Sequence, residues 1–267
     1  MGSNYPIILA HGICRFDEVL HLGPDLDNQP DDSAHYFKSI RSVLMQEGFE
    51  VYHTRVAWAA GVERRCDQLK EQIERCTASF SQHQKVHIIA HSMGGLDARH
   101  MLYKYRMEER VASLNTIGTP HKGSSFADWG VKRFGWFIPL LDRIGFDLRG
   151  FFDLTRERCR AFNEEAAAYE KGNGVKYRTY AGVQPRERIF LPLKFSYEVI
   201  RKEEGPNDGL VSLQSASWKD DVFVKSIDAD HLNEIGWCDF HEPEFFNNRD
   251  EFERRIQQFY LELARGL

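Results

Sequence analysis

Six short runs rich in branched and aromatic residues recur along the chain: YPIILA (5–10), FEVYHTRV (49–56), VHIIA (86–90), VASLNTIG (111–118), VKYRTYAG (175–182) and DVFVKSID (221–228). Each is strand-length, and helical patterns lie between several of them. Successive parallel strands need long crossovers, usually helices, so this alternation predicts an α/β chain with a mostly parallel central sheet covered on both faces. Tyr36, Ile40, Val43 and Leu44 mark one covering helix, and Val62, Cys66, Leu69, Ile73, Cys76 and Phe80 mark a second. The C-terminal stretch places Phe252, Ile256, Phe259, Tyr260 and Leu263 along one side of a closing helix. A chain of 267 residues with no internal repeat or low-complexity stretch is expected to form one domain, 1–267.

One segment breaks the alternation. SSFADWGVKRFGWFIPLLDRIGFDLRGFFDL (124–154) is strongly apolar, yet Gly130, Gly135, Pro139, Gly145 and Gly150 interrupt it too often for one long helix. Short amphipathic helices joined by hinges are expected there, either as core filling between two strands or as a mobile cap over an apolar site.

Charge and cysteine usage narrow the classes of function. A formal net charge of −5 gives no basic footprint for nucleic acid. The opening MGSNYPIILA enters a strand-like run without a basic stretch or a long apolar segment, so neither an export signal nor a membrane-spanning segment is visible. The expectation is a cytoplasmic protein, although a secreted form already trimmed would read the same. Cys14, Cys66, Cys76, Cys159 and Cys238 are odd in number and lack paired spacing, which argues against a zinc site or a disulfide framework. Cys66 and Cys76 instead continue a helical apolar stripe.

The chemistry concentrates at VHIIAHSMGG (86–95). A strand entering a tight turn before a helix lifts one side chain onto an exposed tip, provided its neighbours are small. Ser92 occupies that tip, with Ala90 and Gly94 two residues to either side and GGLDARHMLYKY continuing as a helix. A serine hydroxyl needs a base to remove its proton as it attacks. Among eleven histidines the first candidate is His231, in SIDADHLNEIGW after the last strand; His241, in DFHEPEFF, is the second. The base needs an acid to fix its tautomer. Asp208, in GPNDGLVS, is the first candidate, with Asp228 and Asp230 as alternatives that sit close enough to His231 to shape its loop instead. Two donors must hold the negative oxygen of a tetrahedral intermediate. The N–H of Met93, directly after the serine, supplies one, and ILAHGICRFD after the first strand offers the N–H of Ile13 as the other.

YPIILAHG, AHSMGG, IGTPHKGSSFADW, NDGLVS and DHLNEIGW, in that order, resemble the bacterial triacylglycerol lipases of the α/β-hydrolase superfamily over residues 5 to 237. The resemblance implies an α/β-hydrolase fold, Ser92 as nucleophile, Asp208 as acid, His231 as base, Ile13 and Met93 as oxyanion donors, and a lid at about 124–170. Its substrate would be an acylglycerol ester, met at a lipid–water interface, with short-chain esters or thioesters as the alternative. A non-catalytic acyl-ligand binder on the same fold is the alternative of another class. Many of these lipases hold a structural calcium with a carboxylate two residues after the histidine; here Asn233 stands there, followed by Glu234, and the partner acid falls near Arg188. Calcium is therefore disfavoured, no other cofactor is expected, and no cysteine pair matches the family disulfide.

Overall fold

A computed structural model of the chain describes residues 5–15, 17, 27–135, 147–238 and 243–267, with side chains of the last segment described from residue 250. Its strands are β1 (Ile7–Ala10), β2 (Val51–His53), β3 (Val86–His91), β4 (Val111–Ile117), β5 (Lys176–Gly182) and β6 (Phe223–Ile227). They form a six-stranded sheet in the order β2-β1-β3-β4-β5-β6, and every neighbouring pair is parallel. All six strand-like runs of the sequence are strands.

The helices are α1 (Ile40–Gln46), α2 (Val62–Cys76), α3 (Met93–Tyr105), α4 (Ser125–Phe134), α5 (Gly150–Asp153), α6 (Arg156–Gly172), α7 (Lys194–Glu203), α8 (Leu213–Ser217) and α9 (Pro243–Arg265). Alternate strand residues point to opposite faces, and each face has its own core. Ile7, Leu9, Ile89 and Ile117 pack with Ile40, Leu44, Ile256 and Tyr260 beneath α1 and α9. Ile8, Ala10, Ile88 and Ala90 pack with Cys66, Leu69, Ile73, Ala98 and Met101 beneath α2 and α3. β1 and β3 are buried at every position, as befits inner strands covered on both sides.

The stripe expected to run to Phe80 as a helix stops at Cys76, because Ala78, Ser79 and Phe80 all take positive φ. Within 124–154, α4 and α5 are two of the expected short helices, and 136–146 lies outside the described residues. Among the described residues no helix is long and apolar enough to cross a membrane. Cys14, Cys66, Cys76, Cys159 and Cys238 are all free thiols.

Candidate active site

Because every strand is parallel, the loops that follow β1, β3, β5 and β6 open on one end of the sheet. Ser92 stands between β3 and α3 with φ 53° and ψ −131°, a conformation that a side-chain-bearing residue adopts only under constraint. Two contacts hold it: the Ser92 N–H donates to Ile117 O at 2.9 Å, and Thr119 Oγ1 donates to Ser92 O at 2.7 Å. The turn also needs Gly94, since a Cβ there would lie 2.5 Å from Ala10 O and 2.7 Å from His11 O.

Ser92 Oγ lies 2.9 Å from His231 Nε2, and His231 Nδ1 lies 2.7 Å from Asp208 Oδ2. All three are buried. The carboxylate facing Nδ1 places the proton there, leaving Nε2 to accept from the serine hydroxyl. Asp208 is itself held, for its Oδ1 accepts from the N–H groups of Leu210 and Val211 at 2.8 and 2.7 Å, and its carbonyl accepts from His231 N–H at 2.9 Å. The NDG turn read in the sequence thus aims one carboxylate oxygen at the histidine and spends the other on its own backbone.

Of the alternative acids, Asp230 shapes the loop of His231. Its Oδ1 accepts from Leu232 and Asn233 N–H, and its Oδ2 accepts from Phe190 N–H at 2.8 Å. Burial pushes its carboxyl up to about 6. Asp228 is exposed and paired with Arg188 and Arg255. His241 lies outside the described residues.

The loop after β1 passes directly over the serine, where a Cβ on Gly12 would sit 2.7 Å from Ser92 Cβ. The Gly12 N–H donates to Tyr36 Oη at 3.1 Å and the Cys14 N–H donates to Trp58 O at 2.8 Å. Between them the Ile13 N–H has no partner among the described residues. Met93 is the first residue of α3, so its N–H has no acceptor within the helix. These two amides are the donors that the sequence singled out.

Behind the imidazole lies a second polar layer that the sequence reading missed. Tyr36 Oη is 2.7 Å from His91 Nδ1, and His91 Nε2 is 3.0 Å from Glu234 Oε2, which also lies 3.6 Å from His231 Nδ1. Burial holds His91 neutral; burial and the neighbouring Asp208 and Asp230 carboxylates push the Glu234 carboxyl well up. In the sequence His91 adjoins Ser92, while Glu234 lies three residues past His231 and is weighed only against a calcium site, so nothing marks the two as partners.

Asp228 is bonded by both terminal nitrogens of Arg188 at 2.7 Å, and Asp230 spends its oxygens on three backbone N–H groups, so among the described residues the two carboxylates of these loops are already engaged by protein donors. Asp27, His35 and His53 also lie together. Yet His35 Nδ1 accepts from Phe37 N–H, which puts its proton on Nε2, the nitrogen facing Asp27.

Residues 49–135 match the family model of a PGAP1-like alpha/beta domain. The chain is 29% identical to triacylglycerol lipase 2 of Saccharomyces cerevisiae over 98% of its own length and 90% of that protein's. It is also 29% identical to a triacylglycerol lipase of Vibrio cholerae over 87% of its length and 80% of the relative's. The chain is thus similar, over most of its length, to triacylglycerol lipases of yeast and bacteria, and these likenesses support a lipase family of the α/β-hydrolase superfamily. Solved structures agree on the fold. The mature form of a Bacillus licheniformis lipase superposes with a TM-score of 0.66 at 21% identity, covering 92% of this chain and 91% of that one. A metagenomic carboxyl esterase superposes with a TM-score of 0.71 at 18% identity, covering 98% and 75%. On this α/β-hydrolase fold Ser92, Asp208 and His231 follow one another in the serine, acid, histidine order usual for such folds.

Proposed function

We propose that the protein hydrolyses carboxylic esters of the acylglycerol kind through an acyl-enzyme on Ser92. The observation that carries this reading is the continuous relay of Ser92 Oγ, His231 and Asp208 at 2.9 and 2.7 Å. Ser92 Oγ attacks the ester carbonyl as His231 Nε2 takes its proton, while Asp208 supports the imidazolium. The N–H groups of Ile13 and Met93 hold the oxyanion. On collapse, His231 returns the proton to the leaving alcohol. Water, activated by the same imidazole, then releases the acid from acyl-Ser92.

A preference for lipid substrate is supported by a surface beside the site. Phe134, Leu191 and Phe195 are 55%, 61% and 56% exposed, more than the other large apolar side chains described. Phe195 and Phe134 pack on Trp129, at ring distances of 5.0 and 5.9 Å, and the exposed Lys132 and Arg133 flank them. The patch joins the acid's loop through Ser124, whose Oγ donates to Leu210 O at 3.0 Å. Clustered exposed aromatics mark a surface that docks on something apolar, and α4, which carries Trp129 and Phe134, begins the expected lid.

Fluorophosphonate should label the wild type and not Ser92→Ala, and Ser92→Ala should lose turnover of a soluble p-nitrophenyl ester by several orders of magnitude. Unlabelled, folded wild type would identify a ligand binder instead. Hydrolysis of emulsified long-chain triacylglycerol should fall in Phe134→Ser/Phe195→Ser while short soluble esters are cleaved as before. Activity confined to short esters in the wild type would identify an esterase.

A further inference from the structure

Arg65 lies on the apolar stripe of α2, wholly buried, and serves neither the hydrophobic core nor the serine relay. Its guanidinium is held by Asp97 of α3, with Nε at 2.9 and 3.1 Å and Nη2 at 2.7 Å from the carboxylate. The remaining donors all go to backbone carbonyls: Nη1 to Ala57 O at 2.7 Å, and Nη2 to His11 O at 3.1 Å and Gly12 O at 3.2 Å. Burial raises the Asp97 carboxyl to about 6, so at neutral pH it is the ionised counterpart of the arginine.

Gly12 O belongs to the same peptide group as the Ile13 N–H. In a trans peptide the C=O and N–H point in opposite directions, so a carbonyl turned toward Arg65 turns the Ile13 N–H away from it. The carbonyl is fixed from a second side by His11, whose Nε2 accepts from Val56 N–H at 3.0 Å and whose Nδ1 therefore donates to Gly12 O at 2.8 Å. No cis peptide is present among the described residues. A cationic donor on the carbonyl also polarises the peptide and strengthens its N–H as a donor.

We infer that the buried Arg65–Asp97 pair is the positioning device of the oxyanion hole, orienting and polarising the Gly12–Ile13 peptide so that its N–H meets the developing negative oxygen. This rests on the ester-hydrolase reading above. The pair also ties three elements together: the loop after β1, the α2 helix, and the helix that begins at the nucleophile. Arg65 is a positioning residue and touches no substrate.

The test is steady-state hydrolysis of a soluble p-nitrophenyl ester by wild type, Arg65→Lys, Arg65→Met and the double variant Arg65→Met/Asp97→Leu, with a boronic acid as tetrahedral analogue. The double variant removes both charges of the pair together, which buried ion pairs tolerate better than the loss of one partner; thermal melts identify which variants are folded. In folded variants kcat should fall about 10- to 100-fold with KM near wild type, since a misplaced donor loses stabilisation of the transition state alone. The boronic acid Ki should rise by the same factor as kcat/KM falls, and Arg65→Lys should recover part of both. A folded variant with kcat within about threefold of wild type, or one whose KM moves while the boronic acid Ki does not, overturns the inference. Wild-type turnover abolished by Ser92→Ala tests the underlying ester-hydrolase reading separately, so the two can fail independently.

Discussion

His91 Nε2 and Glu234 Oε2 are hydrogen-bonded at 3.0 Å, both wholly buried, directly behind the catalytic imidazole candidate. The His91 and His231 rings are 4.5 Å apart, and Asp208 is the other carboxylate at the same imidazole. Two buried carboxylates this close do not both ionise readily, and the one raised is Glu234. A neutral acid is replaced well by an amide, so Glu234→Gln should keep kcat within about threefold of wild type at pH 7. Glu234→Ala leaves the His91 N–H without an acceptor and should lower stability by about 1–3 kcal/mol in urea titrations. A hundredfold loss of turnover in Glu234→Gln would show that the charged form is needed.

The two glycines around the serine should separate folding from turnover. In Gly94→Ala the new methyl meets two backbone oxygens that cannot yield, Ala10 O and His11 O, and the expected cost is about 2 kcal/mol or more by chemical denaturation. In Gly12→Ala it meets Ser92 Cβ and Tyr36 Oη, so the displaced partners are the proposed nucleophile and the tyrosine that accepts from the Gly12 N–H. Turnover should fall about 100-fold for a displacement near 1 Å, with a smaller change in the melting point.

Asp230 makes stability depend on acidity in a definite direction. Its carboxyl is raised from 3.8 to about 6 in the folded chain, chiefly by burial. Below the lower value both states hold the proton; between the two the unfolded chain releases it and the folded chain does not. This group's contribution is therefore full at low pH and is lost as pH rises toward 6, by about 3 kcal/mol in all. The stability difference between wild type and Asp230→Asn, followed by urea unfolding from pH 4 to 7, should shift by that order across the window. A constant difference would place the Asp230 carboxyl near its ordinary range.

The fit of arginine rather than metal between the loops at 188 and 228 predicts indifference to chelators. Dialysis against EDTA should leave both melting temperature and ester turnover unchanged, and added calcium should restore nothing. Because the Arg188 and Asp228 side chains are 38% and 43% exposed, Arg188→Ala should cost no more than about 1 kcal/mol. A drop in melting point with EDTA, reversed by calcium, would contradict this reading.

The sheet was legible because its signal is local: strand runs such as VHIIA and VASLNTIG carry apolar residues throughout, as inner parallel strands must. The convergence of Ser92, Asp208 and His231 was expected from chain order and from the turn at NDG. The helices Arg156–Gly172 and Lys194–Glu203 were not individually foreseen. Both carry more polar than apolar surface, and their cover comes from long-range packing. Arg65 and Asp97 escaped for a related reason. A charge at a buried helical position becomes intelligible only once its partner, 32 residues away, is seen to face it. His91 and Glu234, 143 residues apart, pose the same difficulty more acutely.

His231, the proton acceptor proposed for Ser92, hangs from the edge strand β6. Among the described strands Phe223–Ile227 borders only β5, and its three central residues stand open to solvent. Thermal fraying of that edge would uncouple the proton acceptor while the interior sheet still held, so on gradual warming the enzyme would fall silent before it came apart.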